Sequence, residues 1–574
     1  MQRWILATVL TGVAGVVSAG EHPVRKLTAE YQHGQTFLTW EEVGLPAVAT
    51  LNVYLSKKPI RGVEDLEQAR KVCAWIEPHS ATDWTRDKGN YGKGRVKDKK
   101  TGLVPEALPP VGYILREGGE RLAPEGGLHV HTVAPDEEMA AHYAVTVTTD
   151  GKEDRTIVLG SNSLQHPVVQ NCAPIQPIWQ GPGNPPIPTS GRGKPLLVFL
   201  HGKGNRGACK YIVFGDKTHC WREGVPFMFD VSVGGKVVTL LPSNTLYTGT
   251  SYKEGVAKNR DICAIWSFWY GCSDQFPQTK RISKGTPTNY SERRLLFEIE
   301  WVKRRFGTDP MRSYCQGSSM GGCGTMSFGY RHPEIFAAVR ADVPIIAYNT
   351  GDREKGRALG WHDNTFRMVP FCGPFSLTTS DGLPLWKRMD AREFVLSHPR
   401  DLPYLVIHNG RKDTSIPWHN NPGLYRALQS MRQGCAVAWN EGIHPTARTL
   451  LPDDFTKRMS LGNLLRFSLD KSFLAFSNCS RDEDPGNGDS TDGDGVGFMN
   501  RGLDWGEPGE SAARYEVLVT YGLDAAHLPL TVDVTPRRRQ AFKMVPGAVC
   551  TAVNLDGTGR EIQRVRLTAD PHGL

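Results

Sequence analysis

The nine residues Tyr314-Cys315-Gln316-Gly317-Ser318-Ser319-Met320-Gly321-Gly322 constrain the fold more than any other stretch of the chain. Arg312 to Gln316 reads as a short buried strand, and Gly322 to Tyr330 is small and apolar enough to begin a helix. Between them Gly317 and Gly321 flank Ser319 with the spacing G-x-S-x-G, so strand must become helix within one sharp turn. A residue at the apex of such a turn sits at strained backbone angles, and flanking glycines let the chain pass close by at least steric cost. The Ser319 hydroxyl is therefore expected to project from the edge of a sheet.

Other stretches repeat the strand-to-helix rhythm. Pro195-Leu196-Leu197-Val198-Phe199-Leu200 is a continuous apolar run, the pattern of a strand buried on both faces of a parallel sheet. Lys236 to Leu241, Ala338 to Ile346, Pro403 to Asn409 and Cys435 to Asn440 read as further parallel strands. Helical patterns separate several of them, notably Ser291 to Phe306, with Leu295, Ile299 and Val302 on one face, and Pro422 to Met431. Strands alternating with helices predict an α/β fold with a mostly parallel sheet over residues 195–480.

At 574 residues the chain exceeds one ordinary core, and the flanking composition differs from the centre. Residues 1–20 carry Arg3, an apolar centre from Trp4 to Val17 and the small run Val17-Ser18-Ala19, which reads as a secretory signal. No later segment reads as a membrane span, so export to the periplasm or the exterior is expected. Residues 21–170 show partly alternating strands at Leu27 to Trp40, Thr50 to Ser56, His129 to Val133, His142 to Thr149 and Glu153 to Leu159, with an Asp150-Gly151 turn. They predict a β-sandwich interrupted by a charged stretch from Arg61 to Lys100. Residues 171–194 are rich in proline and glycine and read as a linker. Residues 481–505 read as an acidic, glycine-rich linker; Asp489, Asp492 and Asp494 have calcium-loop spacing, but no glutamate closes the loop, so a solvated segment is expected. Residues 506–574 read as a small C-terminal β-domain.

Twelve cysteines in an exported chain predict disulfides, with Cys209/Cys220 and Cys263/Cys272 close enough in sequence to pair locally. They show no C-x-x-C spacing, and no H-x-x-x-H accompanies them, so neither metal nor cofactor is expected. The net charge of +8 is spread thinly, without a dense basic run, and nucleic acid is not an expected partner.

The chemistry-bearing residues follow from the strand ends. The strand ending at Leu200 runs into His201-Gly202-Lys203-Gly204, where the backbone N–H of Lys203, with that of Gly204 as second choice, can join the N–H of Met320 as an oxyanion donor. Two donors are needed because a tetrahedral intermediate concentrates charge on one oxygen; losing one typically costs about 3 kcal/mol or more. Asp413 lies three residues past Gly410, which closes the strand and turn Leu405 to Gly410, and His444 lies in a loop after the last strand. In these positions His444 would take the Ser319 proton and return one to the leaving group, while Asp413 would hold the imidazole tautomer. A histidine base predicts activity that falls as the medium is acidified. Asp342 is the less favoured acid, and His201, His332, His362, His408 and His419 are expected to be structural. The long segment Ser243 to Thr288 carries Trp266, Trp269 and Tyr270, which either stack on a sugar or phenolic ring or pack a cap.

With these motifs together, Gly191 to Lys471 resembles the α/β-hydrolase superfamily, and within it the secreted esterase branch of feruloyl and acetylxylan esterases and polyhydroxybutyrate depolymerases. It is also similar to propeller-less prolyl-oligopeptidase-family peptidases. The resemblance implies a cofactor-free serine hydrolase working through an acyl-enzyme on acyl esters of a polysaccharide, with a peptidase, a polyester depolymerase and a non-catalytic polymer binder as alternatives. The insertion before the elbow departs from the family pattern where an acyl pocket would form. Phe37-Leu38-Thr39-Trp40, Asn52-Val53-Tyr54 and Tyr143-Ala144-Val145-Thr146-Val147 resemble fibronectin type III domains, which implies a spacer or carbohydrate-binding module.

Overall fold

The computed structural model describes residues 22–46, 48–83, 110–185, 188–203, 210–247, 264–276, 282–348, 368–524 and 528–573. The chain divides into two units, one formed by 1–180 with 213–226 and the other by 181–212 with 227–574. The leader 1–20, Gly204, His362, Cys209 and Cys263 lie outside the described residues, and so do the two local disulfide pairings.

The first unit contains two antiparallel sheets. One joins Val24–Gln32, Gln35–Glu42 and Gly127–Thr132; the other joins Arg70–Ile76, Thr50–Ser56, Met139–Thr149 and Lys152–Asp154, with Val168–Gln170 also on Met139–Thr149. Two hairpins close on two-residue turns, His33-Gly34 (φ 48° and 76°) and Asp150-Gly151 (φ 52° and 76°). Positive φ at both positions matches the right-handed twist of the flanking strands and sets their register. Leu38 and Trp40 from the first sheet and Leu51, Val53, Tyr143 and Val145 from the second share one buried core. The charged stretch is not wholly irregular, because Arg70–Ile76 pairs as a strand in the second sheet.

The second unit is built on a twisted α/β sheet. Its strands run in the order Gly497–Met499, Cys435–Asn440, Tyr404–Gly410, Ala338–Asp342, Ser313–Ser318, Leu196–Leu200, Val238–Pro242 and Pro226–Val233. The six central strands are parallel, and the strands at either end of this run are antiparallel to their neighbours. Continuous burial along Ala338–Asp342, Tyr404–Gly410 and Cys435–Asn440 explains why their sequences do not alternate. Tyr290–Phe306 packs against Val238–Pro242, buries Leu295, Ile299 and Val302, and stops at Gly307, whose φ of 60° ends the helix.

Two expectations need correction. Residues 481–505 do not form a solvated linker: Gly497–Met499 adds an antiparallel strand to the sheet, and Leu503 and Trp505 sink into a core with Phe467, Phe473 and Phe476. Nor is 506–574 a self-contained domain. Asp533–Arg537 pairs with Phe473–Ser477, and the buried Arg537 makes an ion pair with Asp401 at 2.8 Å. The cause is a few large apolar side chains inside a polar, glycine-rich composition; their burial outweighs the average character of the segment. The hairpin Val549–Leu555/Glu561–Thr568 remains exposed along almost its whole length. Among the described residues no helix is long and apolar enough to cross a membrane.

Candidate active site

The elbow forms as its spacing requires. The strand Ser313–Ser318 runs directly into Ser319, and the helix Met320–Ser327 begins at the next residue. Ser319 has φ 58° and ψ −121°, a conformation that a residue with a Cβ adopts only when its surroundings enforce it. Those surroundings are visible. The Ser319 N–H donates to the Asp342 carbonyl at 2.9 Å, and the Cys323 N–H to the Ser319 carbonyl at 2.8 Å.

Glycine is needed at the flanking positions for space. A Cβ on Gly321 would stand 2.0 Å from the Leu200 carbonyl oxygen, and one on Gly317 would stand 2.4 Å from the backbone of Gly321. Gly321→Ala is therefore expected to cost about 1–3 kcal/mol of stability, with turnover falling as the elbow shifts. Gly235→Ala, where a Cβ meets nothing within 4 Å, should leave both unchanged. Urea midpoints and kcat measured on the two variants check this.

Ser319, His444 and Asp413 lie in one hydrogen-bonded line. Ser319 Oγ is 2.9 Å from His444 Nε2, and His444 Nδ1 is 2.6 Å from Asp413 Oδ2. A carboxylate only accepts, so Nδ1–H donates to Asp413, and the Nε2 lone pair faces the serine hydroxyl. The other Asp413 oxygen accepts the N–H groups of Ser415 at 2.8 Å and Ile416 at 3.0 Å, which fixes the carboxylate plane. The Asp413 side chain is 1% exposed while that of His444 is 30% exposed, so the line runs outward from a buried carboxylate to a half-buried serine.

The loops that carry the acid and the histidine are supported by residues that spacing alone did not single out. The Arg411 N–H donates to the Asn440 carbonyl at 2.7 Å, linking the two strand ends. Its guanidinium donates to the carbonyls of Ser490 at 2.6 Å and Asp492 at 2.8 Å, which is what holds the supposed linker in place. Asn440 Nδ2 donates to the Ala447 carbonyl and its Oδ1 accepts from the Gly442 N–H, closing the loop around His444. A Cβ on Gly410 would come within 2.3 Å of the Gly442 carbonyl oxygen, so the His444 loop crosses directly over the end of the acid's strand. A basic residue two positions before the acid was the available sequence signal, but its partners lie about eighty residues further on.

The HG turn passes beside the elbow. An ideal Cβ on Gly202 would lie 3.3 Å from the Ser318 carbonyl oxygen and 3.9 Å from Ser319 Cβ. His201 locks this turn: its Nδ1–H donates to the Gly202 carbonyl at 2.9 Å, and its Nε2 accepts the Asn244 N–H at 3.0 Å. Lys203 follows Gly202 directly, and Met320 opens the helix that begins after Ser319, so each candidate donor is the next residue after a group that stands at the elbow. Gly204 is outside the described residues.

The three aromatic candidates separate. Trp269 and Tyr270 are each 1% exposed and offer no face to a ligand, a correction to the stacking alternative. Trp269 packs on the His201 ring at 5.0 Å and flush against Gly324, where a Cβ would meet its ring at 2.4 Å. The Tyr270 hydroxyl donates to the Pro287 carbonyl at 3.2 Å, and the Arg388 guanidinium lies over its ring. Trp266 stays half-buried, with the Lys203 ammonium 5.8 Å from its ring centroid.

The other histidines have structural settings. Burial pushes His408 down to about 4 and His419 down to about 4, so both stay neutral near pH 7. Asp342 accepts from the Arg340 guanidinium at 3.0 Å and is buried beneath the elbow. Burial likewise pushes the Cys315 thiol, on the elbow strand, up to about 12, which makes it inert.

The elbow, the parallel sheet and the chain order serine, aspartate, histidine together are an arrangement of the α/β-hydrolase type. No protein-family model matches the chain, and no curated protein does. Among solved structures the chain is similar to an S-formylglutathione hydrolase from Agrobacterium tumefaciens, at 19% identity over 45% of this chain and 80% of that one, with a TM-score of 0.29. It is similar to a ferulic acid esterase at 13% identity, over 48% of this chain and 86% of that one, with a TM-score of 0.27. An esterase from Pyrococcus furiosus matches at 13% identity over 48% and 82% of the two chains, with a TM-score of 0.27. At such identities and scores the likeness by itself assigns neither a family nor a substrate.

Proposed function

We propose that this protein is an exported serine ester hydrolase that works through an acyl-enzyme, with Ser319 as nucleophile, His444 as base and then acid, and Asp413 as the group that orients the imidazole. One observation carries the reading: a half-buried serine at a strained elbow, its hydroxyl 2.9 Å from an imidazole whose far nitrogen is held by a buried carboxylate. In the proposed cycle Ser319 Oγ attacks the ester carbonyl as His444 Nε2 takes its proton. The oxyanion is received by the N–H groups of Met320 and Lys203. His444 returns the proton to the departing alcohol, and water repeats the sequence to release the acid.

The substrate class we favour is an acyl ester on a polysaccharide, of feruloyl or acetyl type. Support comes from the leader pattern of residues 1–20 and from the resemblance of the N-terminal sequence to fibronectin type III domains, a module that suits an enzyme working on an extracellular polymer. Trp266 is the remaining aromatic candidate for contact with the acyl or sugar ring. Methyl ferulate, p-nitrophenyl acetate and a proline-containing peptide assayed side by side test the proposal. Ester turnover with an inert peptide is the expected result. Peptide cleavage with inert esters would replace the esterase by a peptidase using the same three residues, and no turnover with retained polysaccharide binding would make the protein a binder.

A further inference from the structure

Outside the candidate active site, the first unit holds a buried group of metal-binding side chains. His129 and His131 alternate along Gly127–Thr132 and so point to one face of that sheet. Glu223 arrives from residues 213–226, which belong to the same unit. One ring nitrogen of each histidine and one carboxylate oxygen of Glu223 lie within 4.8 Å of one another. The three residues are 4%, 4% and 8% exposed.

Carboxylate oxygens face both ring nitrogens of His131, so a neutral ring would leave one of these contacts without a proton. His131 Nε2 lies 2.9 Å from Glu137 Oε2, and His131 Nδ1 lies 3.1 Å from Glu223 Oε2. A neutral imidazole donates from one nitrogen only, so whichever carboxylate receives the N–H, the other faces a lone pair. Glu137 is the better receiver for an outer role. Its Oε2 already accepts the Ala134 N–H at 2.7 Å, and Arg70 forms an ion pair with its other oxygen. That leaves His131 Nδ1 and Glu223 Oε2 as two acceptors face to face, with the second Glu223 oxygen anchored by the Thr132 N–H at 2.6 Å. His129 adds a buried Nε2 with no hydrogen-bond partner among the described residues.

We propose that His129, His131 and Glu223 bind one divalent transition-metal ion, with Zn²⁺ as the expected occupant, and that Glu137 is the outer carboxylate that orients His131. Two imidazoles and a carboxylate suit zinc, and a ligating histidine characteristically donates its other N–H to a carboxylate. Ligand atoms about 2.0–2.1 Å from a tetrahedral zinc stand about 3.3 Å apart, close to the 3.1 Å between His131 Nδ1 and Glu223 Oε2. The ion fastens segment 213–226 to the sheet that carries the two histidines. The backbone approaches closely here: a Cβ on Gly224, at φ 74°, would lie a tight 3.1 Å from the Val130 carbonyl oxygen and 3.2 Å from His129 Nδ1.

The test uses the full chain purified without chelators, incubated with ZnCl₂ and desalted, with metal read by mass spectrometry. About one zinc per chain is expected in the parent and in Ser319→Ala, and near none in Glu223→Gln. Zinc should raise the Tm of metal-stripped protein by about 4 °C or more, an increment that a chelator reverses. Should Glu223→Gln fail to fold, Co²⁺ in the parent supplies the second readout, with visible bands of low-coordinate cobalt expected. Another first-row divalent ion retained at about one per chain upholds the site and changes its occupant. Zinc retained equally by Glu223→Gln, or no retention with an unchanged Tm and a cobalt spectrum of the hydrated ion, overturns the proposal. His131 would then be a structural side chain hydrogen-bonded between Glu137 and Glu223.

Discussion

Ser319→Ala and His444→Ala are each expected to lower kcat on an activated ester by about 10⁶-fold, and Asp413→Asn by about 10⁴-fold. The ordering follows from the geometry. The serine and the imidazole both take part in bond making, so losing either removes the covalent route entirely. Asp413 takes no part in bond making and acts by accepting from His444 Nδ1 at 2.6 Å; an asparagine in its place would present an amide that lets the ring adopt the wrong tautomer. The three losses should not add: Ser319→Ala/His444→Ala is expected to be no worse than Ser319→Ala, because the groups act as one unit. Unchanged urea midpoints for all variants keep the comparison to chemistry. A Ser319→Ala protein that retained even a hundredth of parental turnover would place the reaction elsewhere in the molecule.

The second large effect concerns stability against pH. His332 Nδ1 lies 2.7 Å from Glu334 Oε1, and its Nε2 lies 3.6 Å from Glu292 Oε1, while Glu292 is also ion-paired to the buried Arg388. Burial would lower the imidazole, but the two carboxylates outweigh it and lift His332 from 6.5 to about 9. For a group whose folded pKa is raised, the stabilisation is complete below the unfolded value of 6.5 and is lost as pH rises through about 9. The interval corresponds to about 3 kcal/mol. Burial opposes ionisation of Glu292, but Arg388 outweighs it and holds that carboxyl down at about 2, so it stays charged throughout this window and adds no slope of its own. His332→Gln is expected to be less stable than the parent by about 3 kcal/mol at pH 6, and the gap should shrink at pH 9.5 to whatever is lost from ring packing on Phe328. Urea unfolding at the two pH values measures it; a gap that stays constant would show that packing alone holds His332.

Much of the central architecture was legible because each parallel strand is a short, continuous apolar run. Leu196–Leu200, Tyr404–Gly410 and Cys435–Asn440 stand out for that reason, and the candidate acid and base could be named as the polar residues just past two strand ends. The same reasoning failed where composition was averaged. Phe498, Leu503 and Trp505 are few among aspartates and glycines, yet they carry 481–505 into the core. It also failed for Trp269 and Tyr270, since an aromatic reads the same whether it lines a site or packs behind one. The metal-site triad shows the same limit: the alternation of His129 and His131 was in plain view, but Glu223 is remote along the chain.

What the sequence by itself determined is local: which runs are strands, where a glycine-flanked serine must turn, and which polar residues follow the strand ends. Those features depend on the chain's near neighbours and on periodicities of two or a few residues. Only the tertiary structure decided which groups meet: the 2.9 Å between Ser319 and His444, the Ser490 and Asp492 carbonyls gathered by Arg411, and the carboxylate of Glu223 set against two histidines. Contacts between distant residues are set by how whole strands stack, and no short window of sequence carries that information.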